Sequence, residues 1–128
     1  MEKSKFPQIV LFISGLIAIA VAGMIQISPV DFYATNNIDI AGNVNLLNEI
    51  RASSGALLAY GIFILIGVFI DQLRFTAIVL STLLFLSYGL SRFVSVIVDG
   101  MPVDSLIGAG VIEILVGLFC LFCLWKYL

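Results

Sequence analysis

The sequence predicts an all-α integral membrane protein, a four-helix up-and-down transmembrane bundle, and three observations point there. Of 128 residues, 62% belong to the apolar set and only 11% are charged, where soluble domains carry about 25% charged residues. A chain this poor in polar groups cannot cover a compact ball with water-facing surface. Apolar stretches of about 20 residues recur four times, each long enough to cross a hydrocarbon layer roughly 30 Å thick. The connections between the last three stretches are so short that those spans must be antiparallel neighbours.

Span one covers about residues 7–27, within a charge-free run from Phe6 to Val30. Lys3 and Lys5 precede it and Ala20-Val21-Ala22 imitates a cleavage site, which is how a secretory signal peptide looks. The apolar run continues past that site to Ile27, so a retained span is expected. An outer loop follows over residues 28–48, with Asn36, Asn37, Asn43, Asn45 and Asn48 scattered through it. There Ile38, Ile40, Val44 and Leu46 alternate around Ala41-Gly42-Asn43, a pattern that predicts a small β-hairpin lying over the outer face. Two strands alone are marginal; a lid is the functional reading of this segment, and an irregular interfacial loop with no ligand role is the alternative. Spans two, three and four are expected over about 49–70, 74–98 and 103–126, with no proline inside the charge-poor stretches to open the backbone ladder. Residues 1–128 thus read as a single membrane domain without internal repeats or low-complexity tracts.

Basic residues near span ends stay on the cytoplasmic side. Lys3, Lys5, Arg74 and Lys126 fall on one side of the four-span arrangement; Asp31, Asp39, Glu49, Asp99 and Asp104 fall on the other. Both termini are therefore expected in the cytoplasm. A net charge of −2, no His and no basic run exclude a nucleic-acid surface. The usual zinc ligand is missing as well, and no metal or cofactor is expected. Cys120 and Cys123 form a C-x-x-C sequence, but within an apolar run beside a reducing compartment they read as small packing residues rather than an exchange motif.

Two charges interrupt the spans. An ionised group at mid-membrane costs about 2.5–3.5 kcal/mol on insertion scales, so Arg92 and Glu113 demand partners. With 1.5 Å of rise per residue, Glu113 lies about 15 Å along span four and Arg92 about 10 Å below the outer end of span three. Side chains lean toward the N-terminus of their helix, and these spans run in opposite directions. The residues therefore aim at each other, and an Arg92–Glu113 contact is expected, direct or through one water. Tyr88, Ser91, Ser95 and Asp99 share one side of span three. Gly110, Glu113, Gly117 and Cys120 make a narrow face on span four, and Asn48, Arg51, Gly55 and Ala59 do likewise on span two, with Glu49 beside them. Arg51 points back toward the outer surface, where an arginine can snorkel.

Taken together, Asn48-Glu49-Ile50-Arg51-Ala52-x-x-Gly55, Arg92-x-x-Ser95-x-x-x-Asp99-Gly100-x-Pro102 and Glu113 resemble the DUF4345 family of small four-span bacterial membrane proteins. The resemblance covers most of the chain and implies a small bundle akin to the DoxX-like membrane proteins, in the bacterial inner membrane, with no established reaction. It also implies that Arg51, Arg92, Asp99 and Glu113 act as a unit. Asp99-Gly100-Met101-Pro102 has a mechanical reading beside this one, since Gly permits a tight turn and Pro stops a helix.

The expected function is binding. An outward-facing intramembrane polar pocket would take a lipid, a quinone-like molecule or a small anion, with Arg92 as the anion contact, Glu113 its counter-charge and Arg51 at the mouth; Glu49, Tyr88, Ser95 and Asp99 complete the site. Membrane lipids are the expected partners, with self-association through small-residue faces as a further one. Rival readings are a proton-coupled transporter or channel subunit using Glu113, and a scaffold subunit whose charges only fix helix packing. No nucleophile–base pair is visible, so an enzyme, with lipid-modifying chemistry on Glu113 as its one form, is the least supported reading and no catalytic residue is assigned.

Overall fold

In the computed structural model, residues 5–128 are described, and they form five helices: α1 (Phe6–Ile27), α2 (Pro29–Ala34), α3 (Val44–Phe69), α4 (Asp71–Asp99) and α5 (Asp104–Tyr127). All but α2 are long and apolar enough to cross a membrane. Lys3, grouped above with the basic end, lies outside the described residues.

The four long helices pair as two antiparallel hairpins. α1 is clipped to α3 at both ends by glutamine amides: Gln8 Nε2 donates to the Val68 carbonyl (3.1 Å), and Gln26 Nε2 donates to the Arg51 carbonyl (2.6 Å) and to Ser54 Oγ (2.7 Å). Between the clips the backbones touch. A Cβ added at Gly61 would sit 3.0 Å from the Ala18 methyl and 3.1 Å from the Ile19 nitrogen, the close approach that small residues permit between spans. α4 and α5 meet in the same way, since a Cβ at Gly117 would lie 2.6 Å from the Leu86 side chain and 3.0 Å from its backbone nitrogen.

Ile70 alone joins α3 to α4, so the turn is tighter than a loop over Asp71–Arg74. Arg74 makes this possible. Its Nε and Nη2 donate to the Gly67 and Val68 carbonyls at 3.1 and 2.8 Å, while Nη1 reaches Asp71 at 2.7 Å. The last carbonyls of a helix have no partner within it, and a cation placed there satisfies them and complements the helix dipole. Arg74 is accordingly buried.

Packing is uneven along the bundle. Val10, Leu11, Ile64, Val68, Ala77, Ile78, Cys120 and Cys123 form the core, and all lie in the half that ends at Lys5, Arg74 and Lys126. Phe6 closes this half by packing edge-on against Phe119 and Phe122. Both cysteines are free and buried, with Cys120 Sγ 3.1 Å from Ser81 Oγ.

The segment between α1 and α3 corrects one expectation. No hairpin forms. Pro29 starts α2, whose first turn has no use for the missing N–H, and Asn37 and Gly42 turn the chain with φ of 61° and 76°. The Asn43 carboxamide then accepts the Leu46 N–H at 3.1 Å and caps α3. Val44 and Leu46 are helical in consequence. Of the four alternating residues only Ile40 is buried; it anchors the segment, and no cross-strand partner exists.

Candidate functional site

Where the core ends, a cavity of about 480 Å³ begins, and every helix contributes to its wall. Ile17, Val21 and Ile25 come from α1, and Ser53, Ser54 and Leu57 from α3. α4 supplies Phe85, Tyr88 and Arg92, and α5 supplies Ser105, Ala109 and Glu113. The spacing of four within Tyr88–Arg92 and Ser105–Ala109–Glu113 keeps each set on one helical face. Over the top lie Phe32, Tyr33, Asn36 and Ile38. Ser105 Oγ donates to Asn36 Oδ1 at 2.7 Å and fastens this cover to α5. An apolar wall with a few convergent polar groups is how small-molecule sites are built, and the volume falls within the usual range of about 300–1,000 Å³.

Arg92 and Glu113 meet directly in this wall. Nε lies 2.6 Å from Oε1 and Nη2 lies 3.2 Å from Oε2, a two-pronged contact between α4 and α5. The side chains are 35% and 16% exposed, respectively, so both retain a face toward open space. Gly110 makes room for the arginine stem, because a Cβ there would sit 3.3 Å from Arg92 Cδ. Two contacts hold the groups in one mutual orientation more firmly than a single one would, and the pair is formally neutral. Nη1 has no hydrogen-bond partner among the described residues. Tyr88 stands within electrostatic reach of Glu113, Arg92 and Tyr33. Together these groups offer hydrogen-bond donors and acceptors without net charge.

The remaining expected site residues lie elsewhere. Arg51 is not among the residues lining this cavity; its Nη1 donates to the Gln26 carbonyl at 2.5 Å and caps the end of α1 against α3. Glu49 is exposed and is not among the lining residues either. Ser95 Oγ donates to Asp99 Oδ2 at 3.1 Å on an exposed face. The expected polar stripe on α4 therefore divides, with Tyr88 and Arg92 turned to the cavity while Ser91, Ser95 and Asp99 are not among its lining residues. Gly100, with φ of 99°, terminates α4 as its mechanical reading requires.

Ser54, Asn36, Ser105 and Tyr33 line the site without having been singled out in the sequence. Ser54 and Ser105 resemble any packing serine, and the two cover residues lie in the outer loop, just before the stretch read as a hairpin. Gln26 gave the one available signal, a polar amide near the end of an apolar span.

A second crevice of about 380 Å³ lies between α4 and α5. Its wall is apolar apart from Arg92 and Ser95, and includes Phe93, Met101, Val111 and Leu115, all of which are exposed on the outside of the bundle. Arg92 and Leu106 line both spaces.

A family model described as a domain of unknown function, DUF4345, matches residues 6–124, nearly the whole chain. The chain belongs to the DUF4345 family. No curated protein and no solved structure matches it. The site of this DUF4345 protein must therefore be read from its own geometry. Among its described residues no group of three or more His, Cys, Asp or Glu is placed to hold a metal ion.

Proposed function

We propose that this membrane protein binds a small amphiphilic molecule, lipid or quinone-like, in the cavity between its two hairpins. The observation that carries this reading is the neutral Arg92–Glu113 pair set in the wall of a 480 Å³ space beside Tyr88, Ser53, Ser54 and Ser105. A neutral head bearing carbonyl or hydroxyl groups finds partners there without displacing Glu113. A free anion has to compete with the carboxylate already on the guanidinium, which ranks it lower. Arg51 acts at a distance, holding α1 to α3 through Gln26. The basic end faces the cytoplasm, so the cavity lies under the outer leaflet.

One observation favours the scaffold reading as well: a two-pronged ion pair fixes helix register with or without a ligand. Transport gains less support, because Leu11, Ile64, Ile78 and Cys120, each at most 1% exposed, fill the half beyond the cavity.

Thermal unfolding in detergent tests the binding reading. A short-chain benzoquinone or a phosphatidylglycerol should raise the melting temperature of the native protein, since a molecule that binds only the folded state stabilises it by mass action. Ala109→Phe places a ring in the cavity and should abolish that rise while the ligand-free melting temperature holds. No rise with either probe leaves the scaffold reading in possession.

A further inference from the structure

The two spaces described above share Arg92 and Leu106 and nothing else. One lies among the helices and carries the convergent polar groups Tyr88, Glu113, Ser54 and Ser105 in an otherwise apolar wall; the other is almost wholly apolar and opens on the outside of α4 and α5, where Phe93, Val111 and Leu115 are more than half exposed. Gly89 and Gly110 line the crevice where the helices approach closely: a Cβ at Gly89 would sit 2.6 Å from the Ile114 side chain, and one at Gly110 would sit 3.3 Å from Arg92 Cδ. Between spans of a membrane protein, an outward apolar crevice faces acyl chains. A molecule passing from one space to the other crosses beside the guanidinium, whose Nη1 is unclaimed among the described residues.

We propose that the ligand is a single-tailed amphiphile: its acceptor-bearing head occupies the cavity, and its one apolar tail leaves past Arg92 and Leu106 to lie in the α4–α5 crevice. This rests on the binding reading and adds the class of ligand and its route. One crevice seats one tail. Charge agrees, because the amino group left over from the Glu113 contact meets an acceptor oxygen at the junction where head joins tail. The ligand arrives sideways from the bilayer, so the cover formed by Phe32, Tyr33 and Asn36 stays fastened to Ser105 during loading.

The test uses the full chain in detergent, two probes and two variants. The probes are a dimethoxy-methyl-benzoquinone without a tail and the same ring carrying a decyl tail, read by the shift in melting temperature. Leu115→Trp fills the crevice on an exposed face, and Ala109→Phe fills the cavity. The native protein should gain more from the tailed probe than from the tailless one. Leu115→Trp should lose that extra gain and keep the response to the tailless ring, whereas Ala109→Phe should lose both. If Leu115→Trp responds to the tailed probe as the native protein does, the tail route is overturned while cavity binding stands. If Ala109→Phe also responds as the native protein does, or no probe shifts the native protein, both proposals fall. A diazirine in the decyl tail gives a second readout, with label expected on Met101, Val111 or Leu115; label confined to Trp125 and Tyr127, at the other end of α5, overturns the route.

Discussion

At the scale of single residues, the Arg92–Glu113 pair sets the clearest expectation. Glu113→Gln keeps the shape and removes the charge, leaving the guanidinium with a weaker partner. Hydrogen bonds to charged groups contribute about 1.5–3 kcal/mol, and a loss in that range should appear in equilibrium unfolding in mixed micelles. Replacing both partners removes the unpaired charge, so Arg92→Met combined with Glu113→Leu should regain most of the stability. Strict additivity of the single changes would show that the two side chains do not act together. Arg74 sets a second expectation. Its three-way fork onto Gly67, Val68 and Asp71 exceeds what a lysine's single ammonium can span. Arg74→Lys should cost about 1–3 kcal/mol by the same unfolding measurement, and an unchanged midpoint would relegate Arg74 to a topology signal. The sequence made Arg92 and Glu113 legible because charge within a span needs a partner and opposed helix directions name it. Arg74 was hidden by its address: at a span end, a buried cap and a solvated anchor are written with the same letter.

Helix pairing is governed by glycine, and here substitution at neighbouring positions should separate contact from propensity. Gly117→Ala forces a methyl against the Leu86 backbone and should destabilise the α4–α5 hairpin by about 1–3 kcal/mol, the usual cost of overpacking. Gly108→Ala, on the same helix, meets nothing within 4 Å and should be neutral or stabilising by up to about 1 kcal/mol. Equal effects in thermal melts would mean that the close crossing is unimportant. The four long helices could be read because length and hydrophobicity decide them together. Alternation misled at Ile38–Leu46, where one inward isoleucine and a capped helix start reproduce the period of a strand. Burial of Ile40 is a tertiary contact that spacing does not announce, whereas the Asn43 cap, which accepts the Leu46 N–H three residues on, is a local helix-start signal that the alternation obscured. The serines of the cavity were illegible for a related reason: a serine lining a space and a serine tucked against a helix have the same spacing.

For the molecule as a whole, the proposed orientation is open to direct measurement. Asp39→Cys lies on the cover side and Gln72→Cys beside the α3–α4 turn, both exposed, while the native cysteines are buried. A membrane-impermeant maleimide should label the first in intact cells and the second only after permeabilisation; the reverse pattern inverts the orientation.

The unequal filling of the two halves has a mechanical meaning. Each hairpin is bolted internally, one by its glutamine clips and the other by its ion pair, whereas the seam between them is sealed at the basic end and spanned near the cavity by the Ser105–Asn36 hydrogen bond. Parting the two hairpins therefore has less to break at the cavity end than at the basic end, whereas parting either hairpin means breaking its own internal clips.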